Sequence, residues 1–303
     1  MMAISTKLIK IQLSLFKAFT QNKEIEVERK AQAALGEVMA RIRKNRVVAQ
    51  TVVFRDFIGE WIAPKQQKLD GVVLYLHGGG YCAGNIDYAR GFSTVLTIKN
   101  KVKSFCCAYR LAPENPSPAA LEDALESYTY LLRSGYTGDQ IILCGESAGG
   151  GLCYALAIKL REKNMPMPAG IIAISPWVDL TASGTSYIEN EERDPSLSKE
   201  RLQFYASLYA EDKTDPYVSP IFGDLHEMPP SLIFVGGDEV MLSDAETLYL
   251  KLTEAGCSAK LQIKPGMWHA YILYGTRETK SDFAMILEFL KKYFPQTGKN
   301  AKT

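Results

Sequence analysis

The stretch Ile141-Ile142-Leu143-Cys144-Gly145-Glu146-Ser147-Ala148-Gly149 decides the fold. It begins with a short apolar run bounded by turn residues, the pattern of a buried strand, and residues 148–163 continue it with a helical pattern. A serine on a sharp strand-to-helix turn has its hydroxyl lifted clear of the sheet, and only small residues fit on either side of it. The glycines alone would support no more than a plain turn. Strand, turn and helix together read as the setting of a nucleophile.

The same rhythm extends outward from this turn. Residues 71–76, 102–108, 170–175, 231–235 and 259–263 are short apolar runs of strand type, and 51–54 with 57–62 alternate as an antiparallel pair. Helical patterns fill 118–133, 244–255 and 280–293. Strands alternating with helices predict βαβ units, hence an α/β fold with a mostly parallel central sheet and helices on both faces. Ahead of the strands, Ile4, Leu8, Ile11 and Leu15 recur at helical spacing, widened by Phe16 and Phe19. A second helical pattern covers 24–43, its charged face carrying Glu24, Glu28, Arg29 and Lys30. These two helices read as a cap over the core, and the apolar stripe of the first could roof a greasy pocket or meet a membrane surface. Residues 184–216 interrupt the rhythm with a polar, helical excursion around Leu202, Tyr205, Leu208 and Tyr209. The expected division is 1–48 cap helices, 49–183 core, 184–216 cap insertion, 217–295 core continued and 296–303 disordered tail.

With 303 residues, 47% hydrophobic and 23% charged, the chain is long enough to bury a large core. Lys plus Arg number 35 against 34 Asp plus Glu, a net charge of +1. That balance removes the main reason to expect nucleic acid or an acidic membrane as partner. Of the six cysteines, Cys106, Cys107 and Cys144 fall in strand-like runs and Cys153 in a helical one. No disulfide framework, C-x-x-C pair or metal-ligand spacing results, so a reducing, cytoplasmic setting with no metal or cofactor is expected. Lys7, Lys10 and Lys17 break up the apolar positions of the first residues, which argues against a signal peptide. No apolar run approaches the roughly 20 residues of a membrane span.

A serine hydroxyl needs a base to take its proton. There are three histidines. His77 begins the glycine run His77-Gly78-Gly79-Gly80 and would be tied up there, and His226 lies in the loop 223–230 with nothing to aim it. His269 follows the last strand, at the carboxyl edge where such sheets carry their sites. The base in turn needs a carboxylate. Asp238 and Glu239 both follow the strand 231–235, whereas Asp244 and Glu246 suit the first turn of the next helix. The glycine run lets backbone approach a ligand closely; it lacks the Lys and Ser/Thr that a phosphate cradle would carry.

Taken together these residues resemble the hormone-sensitive-lipase-like family of α/β-hydrolases. The resemblance runs from about Val72 to His269 through His77–Gly80, Tyr109-Arg110-Leu111-Ala112-Pro113-Glu114, Gly145–Gly150, Ser175-Pro176-Trp177, Asp215-Pro216 and Ser219-Pro220. It implies an α/β-hydrolase fold with a helical cap, Ser147 as nucleophile, His269 as base, and an oxyanion hole from Gly79, Gly80 and Ala148. The family usually shows Asp-Pro-Leu followed by a second acid, where this chain has Asp238-Glu239-Val240-Met241-Leu242. Counting back from Gly256 and His269 puts the family's acid on Glu239, with Asp238 as the alternative. Glu146 stands where the family has Asp or Glu and reads as structural, and Arg110, Glu114 and Asp123 read as a polar network holding the loop after 102–108. Tyr81, Cys82, Trp177 and the stretch Leu202–Tyr209, with Phe204 and Leu208 foremost in it, are the candidates for the substrate pocket.

The function so implied is a serine carboxylesterase acting on short- to medium-chain uncharged esters through an acyl-enzyme. The same triad could cleave amides, as a deacetylase or formamidase. A silent small-molecule receptor of this fold would have lost a triad member, and Ser147 and His269 are both present. The family also admits a homodimer joined at the sheet edge near Ala259–Ile263.

Overall fold

The computed structural model describes residues 6–20, 24–41 and 44–296. Ile4, residues 42–43 and the tail from 297 lie outside the described residues, as does the side chain of Phe19. In chain order the elements are α1 (Thr6–Thr20), α2 (Ile25–Arg41), β1 (Val47–Val53), β2 (Ile58–Pro64), β3 (Val72–Leu76), α3 (Ile86–Asn100) and β4 (Lys103–Ala108). There follow α4 (Ala119–Arg133), β5 (Ile141–Glu146), α5 (Ala148–Glu162), β6 (Gly170–Ile174), α6 (Ser186–Glu189) and α7 (Lys199–Tyr209). The chain ends with β7 (Ser231–Gly236), α8 (Leu242–Glu254), β8 (Ala259–Lys264) and α9 (Lys280–Tyr293).

The strands form one eight-stranded sheet in the order β1-β2-β4-β3-β5-β6-β7-β8. β1, β2 and β4 pair antiparallel and the remaining neighbours parallel. Because side chains alternate across a strand, each central strand feeds two cores. Val72, Leu74 and Leu76 of β3 pack toward α4, α5 and α8, while Val73 and Tyr75 pack toward α3 and α9. Both faces are thus apolar, which is why these strands read as continuous hydrophobic runs. β1 starts at Val47, ahead of the alternation first visible at residue 51, because it is a largely exposed edge strand with no burial to pattern it.

Helix α3 carries no signal in the sequence. It lies between the sheet and α2, so Phe92, Val95 and Leu96 are buried, and so are Ser93, Thr94 and Thr97. A helix buried nearly all round shows no polar stripe, and its β-branched residues mimic a strand. Its start is set by Asn85, whose side chain accepts from Tyr88 N at 3.0 Å. Among the described residues no helix is long and apolar enough to cross a membrane.

From β3 the chain moves outward to β4, then crosses back to β5 on the other side of β3. The carboxyl ends of β3 and β5 therefore flank a crevice at the point where strand order reverses, the usual ligand position in such sheets.

Candidate active site

Ser147 occupies the turn between β5 and α5 with φ 55° and ψ −125°, a conformation that non-glycine residues adopt only when their surroundings enforce it. Here its N–H donates to Ile174 O at 3.0 Å, and its carbonyl accepts from Trp177 N at 2.9 Å and Gly151 N at 3.1 Å. A Cβ at Gly149 would lie 2.1 Å from Leu76 O, so only glycine lets α5 start this close to β3. The turn places Ser147 at the crevice, with the amide of Ala148 in the first, unpaired turn of α5.

His269, beyond β8, sends Nδ1 to Glu239 Oε2 at 2.6 Å, leaving Nε2 as the nitrogen available to the cavity. Glu239 is fully buried. Its Oε1 accepts from Ser175 Oγ at 2.8 Å and Gly236 N at 2.5 Å, and Ser175 Oγ in turn accepts from Ala270 N at 3.0 Å. Burial works against the imidazolium, but the bond to Glu239 and the charges of Glu239, Asp194 and Glu146 outweigh it, raising the pKa of His269 above 6.5. Asp238 points elsewhere, to Lys10 Nζ of α1 at 3.0 Å and to Arg193 Nη2 at 2.7 Å. The acid loop is fastened to the 184–216 excursion as well: Asn190 Nδ2 donates to Glu239 O at 2.9 Å, and Val240 N donates to Asp194 Oδ2 at 3.0 Å. Among the described residues, Ser147 Oγ and the imidazole do not hydrogen-bond each other; both face the same cavity.

The other two histidines lie away from this pairing. His77 is buried, bonded to Gly78 O at 2.7 Å and stacked on Tyr109 at 4.2 Å, and burial pushes its pKa down to about 4. His226 is exposed, 2.7 Å from Asp224.

After β3, Gly79 and Gly80 have φ of 111° and 61°. Among the described residues neither amide donates within the protein. The loop is held at its ends. Gly78 N donates to Glu146 Oε1 at 2.6 Å, and Tyr75 OH also donates to Glu146. Arg29 of α2 reaches Cys82 O at 2.8 Å, Ala112 O at 2.9 Å and the carboxylate of Glu114. Arg110 meanwhile pairs with Asp123 at 2.7 Å. Burial lifts the Glu146 carboxyl to about 7, against the bonds from Tyr75, the Gly78 amide and Tyr88.

Ser147, His269, Gly79 and Gly80 share a cavity of about 150 Å³. Its apolar walls include Phe16 of α1, Leu35 and Met39 of α2, Phe92 of α3, and Leu202 and Tyr205 of α7. Of the pocket candidates read from the sequence, Leu202 and Tyr205 line it, and Tyr81, Cys82, Trp177, Phe204 and Leu208 do not. Tyr81 and Trp177 are fully buried behind the loop and the elbow, Tyr81 stacked on Tyr209 at 3.8 Å. On α7 the inward face is Leu202, Tyr205 and Tyr209, which turns Phe204 outward to 41% exposure and packs Leu208 at the margin of the core. Phe16, on the apolar stripe read as the roof of a greasy pocket, also lines the cavity. The α2 and α3 contributions had no local signal.

A family profile described as alpha/beta hydrolase fold matches residues 73–273. An acetyl-hydrolase of Streptomyces hygroscopicus is 35% identical over 262 residues, 84% of this chain and 85% of that protein. An esterase of Acinetobacter venetianus is 33% identical over 229 residues, 74% of this chain and 76% of that protein. Among solved structures, an esterase from the bacterial hormone-sensitive lipase family is similar with a TM-score of 0.89 at 34% identity, covering 96% of this chain and 99% of that one.

Proposed function

Because the chain belongs to the hormone-sensitive-lipase-like family of α/β-hydrolases and is a serine carboxylesterase, we propose that Ser147, His269 and Glu239 are its catalytic triad. The observation that carries the assignment is the 2.6 Å bond from His269 to a Glu239 carboxylate, on a cavity that also holds Ser147 at its strained turn. Ser147 Oγ attacks the ester carbonyl as His269 takes its proton, and Glu239 stabilises the imidazolium. The negative charge forms on the former carbonyl oxygen and is met by the amides of Gly79, Gly80 and Ala148, each donor worth roughly a hundred- to a thousandfold in rate. His269 then protonates the leaving alcohol. A water deprotonated by the same imidazole attacks the acyl-enzyme, releasing the acid and returning the proton to Ser147.

The substrates are uncharged esters of short to medium acyl chain. In support, the cavity is largely apolar and its 150 Å³ is well below the roughly 300 Å³ at which pockets for larger ligands begin. Residues 1–48 and 184–216 act as the cap over it. The six free cysteines fit a reducing, cytoplasmic location. The open side of β8, a half-buried edge strand paired only to β7, is the surface through which we expect a homodimer.

Hydrolysis of p-nitrophenyl butyrate by the wild type, Ser147→Ala, Asp238→Asn and Glu239→Gln tests the assignment. Activity should vanish in Ser147→Ala and fall by roughly 10³- to 10⁴-fold in Glu239→Gln, with Asp238→Asn losing far less. Equal losses in Asp238→Asn and Glu239→Gln would remove Glu239 as the acid. A faster reaction on the matched anilide would move the substrate class to amides.

A further inference from the structure

One wall of the cavity is not apolar. Glu28 and Gln32, one turn apart on α2, both line it. Glu28 is committed: it accepts from Arg201 Nη2 of α7 at 3.0 Å, and Arg201 Nε also donates to Tyr205 OH at 3.2 Å. Gln32 differs. Its Oε1 is buried and has no hydrogen-bond partner among the described residues. That oxygen also lies beside the glycine loop, since a Cβ at Gly79 would come within 3.0 Å of it. An amide acceptor therefore sits next to the backbone assigned to the developing oxyanion, in a cavity whose lining also includes the apolar Phe16, Leu35, Met39 and Phe92 and the polar Tyr88, Glu146, Ser196 and Tyr274.

A buried acceptor needs a donor. The nearby guanidinium is engaged with Glu28 and Tyr205. A plain alkyl ester filling the cavity would strip the amide oxygen of water and return nothing, and displacing an ordered water without replacing its bonds loses affinity. A substrate with its own O–H or N–H at this spot would replace it. We propose that Gln32 reads a hydrogen-bond donor on the substrate close to the scissile ester, so that the preferred substrates are hydroxylated or N–H-bearing esters rather than simple alkyl esters. Sites built around such a bond discriminate against analogues that lack it, because the protein's polar group is then left unpaired. The inference rests on the esterase reading and narrows its substrate class.

The test compares kcat/KM for ethyl butyrate with that for each enantiomer of ethyl 3-hydroxybutyrate, which carries the donor on the acyl side. The alcohol side is covered by 2-hydroxyethyl butyrate. All are measured with the wild type and with Gln32→Met, a substitution that keeps length and helix propensity. In the wild type at least one hydroxylated ester should exceed ethyl butyrate about tenfold, the worth of one such bond, and the ratio should collapse toward one in Gln32→Met. A wild-type ratio of one or less on both sides overturns the inference, as does a preference that survives in Gln32→Met. Turnover with a flat ratio leaves the esterase standing and removes only the role of Gln32. No turnover of these esters or of p-nitrophenyl butyrate refutes the esterase reading itself.

Discussion

Replacing Glu146 by glutamine removes a buried charge but keeps an acceptor for the Gly78 amide. Glu146 is 1% exposed, and burial raises its carboxyl from 4.5 to about 7. At 1.36 kcal/mol per tenfold change in proton affinity, the ionised form is disfavoured in the folded protein by about 3 kcal/mol. The sign follows from proton release. Above pH 4.5 the unfolded chain loses this proton, while the folded protein keeps it until about pH 7. The associated stability is therefore fully present below 4.5 and is lost as the pH rises through about 7. Glutamine carries no such proton, so the loss should disappear. Urea unfolding of both proteins at about pH 5 and about pH 8 measures it. Between those pH values the wild type should lose about 2.5 kcal/mol more than Glu146→Gln, part of the full difference being already gone at about pH 5. A variant that follows the wild-type change to within about 0.5 kcal/mol would show that Glu146 does not titrate in the folded state over this range.

The pKa of His269 is raised above 6.5, and the base must be neutral to accept a proton, so kcat/KM should climb with pH through a midpoint above 6.5. In Glu146→Gln that midpoint should fall, because the Glu146 charge helps hold the imidazolium; an unmoved midpoint would deny the coupling. Gly80→Ala would put a Cβ 2.5 Å from the Tyr205 ring at a φ of 61°. The loop must then shift, and kcat should drop about a hundredfold with a smaller change in KM; an unchanged kcat would remove Gly80 from the oxyanion hole.

Legibility in the sequence followed the distance over which each feature is determined. The turn around Ser147 is local, since strand, small residues and helix sit within a dozen positions, and its reading agrees with β5 and α5 as observed. The placing of Ser147, His269 and the pair Asp238–Glu239 needed only the order of strands, because each follows a parallel strand at the same edge of the sheet; the choice of Glu239 came from the family resemblance. Asp238 and Glu239 could not be separated by residue chemistry alone. What distinguishes them is Lys10 and Arg193 on one side and Ser175 and Gly236 on the other, four residues far apart in the chain or across a turn. The cavity wall was least legible. Phe92 belongs to a helix whose burial erased its periodicity, and Gln32 and Leu35 reach the site only through the packing of α2 against α3. Aromatic character pointed to Tyr81 and Trp177, but in this chain those rings brace the loop and elbow from behind.

The fastening of the acid loop to residues 190–194 bears on how such a protein could be re-engineered. The cap proposed for residues 184–216 invites exchange between relatives as a route to new substrate range. Here Asn190 and Asp194 hold the backbone of Glu239 and Val240 directly, and Arg193 holds Asp238. A chimera that swapped residues 184–216 as a block would leave the carboxylate's own loop without its supports, lowering kcat for every ester alike. Junctions placed after Leu197, where Asp194 completes its turn by accepting from Ser196 N and Leu197 N, would carry α7 and its pocket face across while leaving the proposed acid, Glu239, in register.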